Sequence, residues 1–270
     1  MEPIDLPDPG SDDLDLPIDE LLVYIAQRKA AGQEDASLAT FYTLLARAYR
    51  RDNQIAQAIS TWQKAIALQE KLNLSLELAH SLNELGFLYY YQGKYNKAEP
   101  LYLRSLEIRE RELGVDHPNV AISLNNLAEL YQSQGKYGEA ETLYLRSLEI
   151  MERELGLEHP NVATSLNNLA YLYKSQGRRS EAEHLYRRSL EIRERKLGAE
   201  HPAVAISLNN LAGLYDSQGK YSKAEPLYAR SLAIFVKTLG QDHPNTQTVT
   251  SSLTLLKLQI LTGFDPATLE

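Results

Sequence analysis

Histidine is the side chain best placed to bind a metal or move a proton near neutral pH. Four of the six in this 270-residue chain, His117, His159, His201 and His243, each precede a proline at intervals of 42 residues. The 17 tyrosines and the close acid pairs Glu139/Glu141 and Glu181/Glu183 are the other groups equipped for chemistry. Regularity argues against a catalytic use of any of them. Neighbouring packed helices already lie about 8–10 Å apart, and metal ligands must share one ion at about 2 Å, so periodic His-Pro pairs read as structural connectors. Twelve tyrosines fall in recurring slots and read as packing residues: Tyr49, Tyr89, Tyr131, Tyr173, Tyr215; Tyr95, Tyr137, Tyr221; Tyr102, Tyr144, Tyr186, Tyr228. The acid pairs begin helices, where the dipole favours negative charge. His80 and His184 stand outside the period and read as ordinary, partly exposed helical histidines. The sequence has no GxxxxGK[ST], GxSxG, HExxH or dinucleotide fingerprint, and no cysteine. The expectation is a protein that is not an enzyme and needs no cofactor or metal.

The charge is unevenly placed. The formal net charge of -8 comes from 36 acidic and 28 basic residues, and the first twenty residues hold eight of the acids and no Lys or Arg. Residues 21–270 are therefore balanced, at 28 acids and 28 bases. A neutral body lacks the basic surface that a phosphate backbone requires, which excludes nucleic acid as the expected partner. No apolar run reaches the ~18 residues of a membrane span, and no signal peptide is visible. Cytoplasmic residence is the default expectation.

The spacing of the His-Pro pairs leads to the elements that position everything else. Residues 117–158 and 159–200 differ at only 11 of 42 positions, which is the mark of a stacked repeat. Residues 75–116, with Ser75 in place of the histidine, and 201–242 are further full copies. A degenerate copy over 36–74 aligns at an offset of 40, matching Tyr49 with Tyr89, Asn53 with Gly93, Ala58 with Ala98 and Trp62 with Tyr102. Each copy predicts two helices. In 118–134, Pro118 suits a first turn, and Leu124, Leu127, Ala128 and Tyr131 follow at helical spacing before Gly135. In 137–155, Ala140, Leu143, Tyr144, Ser147, Leu148 and Ile150 do the same before Gly156. No strand pattern occurs, so the fold class is all-α.

Leu124, Leu127-Ala128, Tyr131, Gly135, Ala140, Tyr144 and Ser147 resemble the tetratricopeptide signature. The 42-residue period and the phrases LNNLAELY, QGKYGEAE and LGVDHPNVA resemble the repeats of kinesin light chain and its bacterial relatives. That resemblance implies a right-handed α-solenoid whose first helices line a concave groove, with ligand contacts on the groove side. The corresponding stripe is Ile122, Asn125, Asn126, Glu129, Gln132 and Ser133 in the second full copy, and His80, Asn83, Glu84, Phe87, Tyr90 and Tyr91 in the first. In the third it is Thr164, Asn167, Asn168, Tyr171, Lys174 and Ser175, and in the fourth Ile206, Asn209, Asn210, Gly213, Asp216 and Ser217. The candidate peptide-binding residues are Asn83, Phe87, Tyr90, Asn125, Asn126, Glu129, Asn167, Asn168, Tyr171, Lys174, Asn209 and Asn210.

Asparagine is a mediocre helix former, so its repetition at Asn125, Asn126, Asn167, Asn168, Asn209 and Asn210 calls for a reason. Carboxamides supply donor and acceptor together and can hold an extended peptide backbone; alternatively they bond neighbouring repeats to one another. Phe87, Tyr90, Tyr91 and Tyr171 either anchor apolar ligand side chains or pack against the preceding repeat. Lys174 is the stripe's one cation, which disfavours a clamp for terminal carboxylates. The expected function is non-catalytic capture of a protein or peptide partner; the alternative is a scaffold acting through its ends and convex face.

Flanking segments complete the expected organisation. Residues 1–17 form an acidic tail that either solubilises the chain or lies in its own groove, since LPDPGSDDLDLP resembles the leucine-plus-acid peptides bound by kinesin light chain relatives. Residues 18–35 supply an N-terminal capping helix, and 243–263 a solitary last helix followed by a short tail, 264–270. The apolar content of 244–262 suits either a cap or a homodimer surface.

Overall fold

The structure, a computed structural model, describes residues 16–262. Residues 1–15, the bulk of the acidic tail, and the closing residues 263–270 lie outside that range. The described residues form twelve α-helices and no strand: α1 (Ile18–Ala30), α2 (Ala36–Arg51), α3 (Ile55–Lys71), α4 (Ser75–Tyr91), α5 (Tyr95–Leu113), α6 (Pro118–Ser133), α7 (Tyr137–Leu155), α8 (Pro160–Ser175), α9 (Arg179–Leu197), α10 (Pro202–Asp216), α11 (Tyr221–Leu239) and α12 (Pro244–Thr262). Consecutive helices pack in pairs, giving an all-α solenoid. Its contacts fall into two compact units, one reaching Gln134 and the other starting at Gly135.

The connectors explain where helices start and stop. His117, His159, His201 and His243 each accept, through Nδ1, the backbone N–H two residues on, all at 3.1 Å. One of the orphan donors of a helix start is thereby satisfied by an imidazole, just ahead of the proline that begins the helix. The degenerate copy turns differently: Asn53, at φ 57°, occupies the place taken by Gly93 at φ 70°. Asparagine tolerates that left-handed backbone better than other residues with a side chain, which is why the 40-residue alignment holds despite the missing glycine.

Small residues let the paired helices cross closely. Within the first unit α2 packs on α3 and α4 on α5; within the second α8 packs on α9 and α10 on α11. Ala98, Ala140, Ala182 and Ala224 are wholly buried, as is Trp62, and Tyr102, Tyr144, Tyr186 and Tyr228 fill one recurring buried slot. The hydroxyls of Ser105, Ser189 and Ser231 each donate to a first-helix carbonyl, Ala79, Ala163 and Ala205, at 2.7 Å. A buried serine is thus paired by the helix it crosses. The tyrosine slot that opens the second helices behaves otherwise: Tyr137 is exposed and Tyr95 and Tyr221 only half-buried, because these residues sit at helix starts at the rim of the packing.

The helix-initial glutamates also do more than the dipole argument supposes. The Tyr131 hydroxyl donates to Glu99 at 3.2 Å and the Tyr215 hydroxyl to Glu183 at 2.7 Å. These contacts join the end of one first helix to the start of the preceding second helix. Arg178 lies 3.7 Å from the ring centroid of Tyr173 while pairing with both Glu141 and Glu181.

Candidate functional site

In the first unit the stripe is built from α4 and α6. The Asn126 side chain donates from Nδ2 to Asn83 Oδ1 at 2.8 Å, bridging the two first helices. Asn83 is only 6% exposed, so its acceptor is spent on the neighbouring repeat. Tyr90 reaches forward in the same direction: its hydroxyl donates to Glu129 Oε1 at 3.2 Å and lies 3.0 Å from Ser133 Oγ. Burial pushes the Tyr90 phenol up to about 12, with the adjacent Glu129 charge adding to the rise. Glu129 is exposed as a whole residue, yet protein atoms around its carboxyl remove enough water to hold its pKa above the usual carboxylate value, the Tyr90 hydrogen bond opposing.

Two aromatic rings of this unit remain open. Phe87 and Tyr91 are both exposed and stack with centroids 6.3 Å apart. The Arg50 guanidinium of α2 lies 5.9 Å from the Phe87 centroid while pairing with Glu84. Tyr90 and Phe87 therefore part company: the former is half-buried against the following repeat, the latter caps the surface under an arginine from the preceding one. His80, half-buried and edge-on to Trp62 at 6.0 Å, has its pKa lowered chiefly by burial. Glu84 opposes that shift, and Arg109, Arg47 and Arg50 reinforce it.

The second unit repeats the amide pairing on α8 and α10. Asn210 donates from Nδ2 to Asn167 Oδ1 at 2.9 Å, and Asn209 approaches Asn210 Oδ1 at 3.5 Å. Asn167 is 9% exposed. Tyr171, at 54% exposure, stands clear of the packing. Lys174 lies over Gly213: a Cβ added there would sit 3.4 Å from Lys174 Nζ and 3.3 Å from the Tyr228 hydroxyl. Burial lowers the Lys174 pKa, with Asp216 opposing. The missing side chain at Gly213, in the slot held by Glu129 and Tyr171 elsewhere, is what admits the lysine.

A family model described as tetratricopeptide repeat matches residues 77–153, 121–195 and 180–237, more than half of the chain, and a second of the same description matches 39–72. The chain belongs to the tetratricopeptide repeat family. No curated protein matches the sequence. Among solved structures, BtubC (BKLC) from P. vanneervenii shares 26% identity at a TM-score of 0.69, over 84% of this chain and 92% of that one. A putative kinesin light chain from Podosopora anserina with nearly identical TPR-like repeats shares 27% at 0.61, over 80% of this chain and 97% of its own. Aspartyl phosphate phosphatase F from Bacillus subtilis, at 17% identity and 0.70 over 92% of this chain and 62% of that one, shares the fold.

Within this tetratricopeptide repeat array the candidate residues, together with their stripe neighbour Tyr91, divide by accessibility. Phe87, Tyr91, Glu129 and Tyr171 are open, and Tyr90, Asn125, Asn126, Asn168, Lys174, Asn209 and Asn210 are half-buried. Asn83 and Asn167 are buried, each with its Oδ1 taken by the next repeat. The stripe also has more positive charge beside it than first helices alone suggest. Arg109 of α5 and Arg193 of α9 reach the seams between first helices from behind, and Arg193 contacts the stripe residue Thr164 at 3.1 Å. A count confined to first-helix residues misses them; the signal is an arginine at an otherwise apolar second-helix slot. Among the described residues no group of His, Cys, Asp and Glu is arranged to hold a metal, and no helix is long and apolar enough to cross a membrane.

Proposed function

We propose that this chain is a non-catalytic interaction module that holds an extended peptide segment of a partner protein against its first-helix faces. The observation that carries this reading is the set of large aromatic side chains, Phe87, Tyr91 and Tyr171, left exposed beside amides that keep hydrogen-bonding capacity. Amphipathic aromatic rings are favoured anchors at interfaces, and half-buried carboxamides such as Asn126 and Asn210 can register a peptide backbone alongside them. The second helices instead carry ion pairs between neighbouring repeats, Arg188 with Glu152 and Arg230 with Glu194 among them, which suits a solvated outer surface. Replacing Tyr91 and Tyr171 by Ala should abolish partner capture with the urea midpoint unchanged; retained capture would count against the face.

A second reading has its own observation. Leu255, Leu258, Ile260 and Leu261 of α12 are exposed while Val249, Leu253 and Leu256 pack inward, so the last helix presents a bare apolar face. That face suits end-on association of two copies, and light scattering showing a monomer at high concentration would dismiss it.

A further inference from the structure

Tyr90 of the first unit and Lys174 of the second hold the same place in their repeats, two 42-residue periods apart. Tyr90 has a partner on the following first helix: its hydroxyl donates to Glu129 Oε1, 39 residues on. The residue 39 positions beyond Lys174 is Gly213. The amine still reaches that place, since a Cβ built on Gly213 would lie 3.4 Å from Nζ. The carboxylate is what is missing. Among the described residues Lys174 makes no ion pair and no hydrogen bond, and Asp216 is the acid whose charge reaches it.

A lysine so placed is a better nucleophile than one in open solvent. A protonated amine has no lone pair to give, and burial, by stripping water from the ammonium, favours the neutral form. Asp216 offsets this only in part, so the Lys174 pKa is lowered. Desolvation of this kind is a general way of activating a lysine. The nitrogen is not sealed in: unlike Nε of Arg28 and the Tyr186 hydroxyl, which are enclosed and unbonded, it is an unbonded atom that solvent still reaches.

Room for a substituent exists beside it. Gly213 carries no side chain, whereas the corresponding places hold Phe87, Glu129 and Tyr171. The Tyr228 hydroxyl, 3.3 Å from the same Cβ position, borders the gap with a polar group.

We propose that Lys174 is a site of Nε-acylation, taking a small acyl group from an activated donor, an acyl phosphate or a thioester, at the gap left by Gly213. The neutral amine adds its lone pair to the carbonyl carbon. The bond from that carbon to the phosphate oxygen or thiol sulfur then breaks, its electron pair leaving with the phosphate or thiolate, and the surplus proton on nitrogen passes to water. The product amide carries no charge, so acylation removes the cation from the second unit's stripe together with the cost of keeping it part-buried. The assignment stands independently of the peptide-binding reading.

Its test is the rate of acetylation at each lysine, read by mass spectrometry after the full chain is incubated at neutral pH with acetyl phosphate or, separately, with the thioester S-acetyl-N-acetylcysteamine. Lys174 should be acetylated roughly threefold faster, or more, than the exposed Lys64 and Lys257 with at least one donor, and the faster arm identifies the donor class. Gly213→Glu, which supplies the acid that faces Tyr90 in the first unit, should pair the ammonium and bring the Lys174 rate down to that of the exposed lysines or below. Asp216→Asn, which withdraws the acid opposing deprotonation, provides a second variant should the first fold poorly, and should raise the rate. Circular dichroism checks the fold of each. A Lys174 rate no higher than those of Lys64 and Lys257 with both donors overturns the proposal. So does a folded Gly213→Glu variant acetylated as fast as the parent, or a folded Asp216→Asn variant acetylated no faster.

Discussion

The amide pair Asn167–Asn210 offers the sharpest test of how the stripe is divided between holding repeats together and facing a ligand. Asn210→Ala removes the donor 2.9 Å from Asn167 Oδ1 and leaves an acceptor on a residue that is 9% exposed. Stranding a buried polar group costs about 1–3 kcal/mol, and the gain in helix propensity from Asn to Ala returns about 0.5 kcal/mol. The expected net loss is then about 0.5–2.5 kcal/mol. Asn167→Ala strands the less buried Asn210 amide, which water reaches more easily, so its loss should fall at the lower end. The double variant leaves neither group stranded and should lose less than the sum, with a coupling of about 1 kcal/mol. Urea unfolding followed by circular dichroism on all four proteins, fitted with a nearest-neighbour repeat treatment, gives the cycle. Additivity within about 0.3 kcal/mol would refute the bridging role, and so would an Asn167→Ala variant of unchanged stability that loses partner binding.

Three further outcomes follow from particular contacts. His159→Ala should cost about 1 kcal/mol through loss of the helix cap, while His159→Asp, which keeps an acceptor, should cost much less by the same urea measurement. Ser189→Ala removes a buried hydrogen bond to the Ala163 carbonyl, which keeps its helical partner, and should lower stability by about 1 kcal/mol, whereas Ser251→Ala, whose hydroxyl merely back-bonds within α12 on an exposed face, should be neutral. Because the folded state raises the Glu129 pKa, it binds a proton there more readily than the unfolded chain does. The glutamate then weakens the fold as pH rises through the interval between its unfolded and folded values. Glu129→Gln should therefore stabilise the protein at neutral pH, with the advantage shrinking as pH drops below the carboxylate range; an advantage independent of pH would contradict the assignment.

The repeat register makes the helices legible in the amino-acid sequence itself, because prolines at first turns and glycines after helix ends carry local backbone physics that no tertiary contact overrides. The site is less legible. Asn83 and Asn126 are 43 residues apart, one more than the period, so their partnership depends on how successive repeats lean on each other rather than on any pattern within a copy. Arg109 and Arg193 are hidden for a related reason: they belong to second helices, and their relevance to the first-helix face arises only where a long side chain threads between two packed neighbours. Tyr137 shows the opposite failure, since recurrence suggests packing where the slot's position at a helix start leaves the ring exposed. The acidic tail, residues 1–17, holds six of the eight acids of the first twenty residues and falls mostly outside the described residues.

The central claim is that partners are held on the first-helix faces, and a photo-crosslinking amino acid at single positions tests it most directly. Placed at Tyr171, exposed on α8, and separately at Leu145 and Leu258, exposed on a second helix and on the last helix, it reports which surface a partner touches. The account predicts adducts to an extended segment of a partner protein at position 171, weakened by the Asn210→Ala substitution, and none at 145. Adducts confined to 145 or 258 would contradict it.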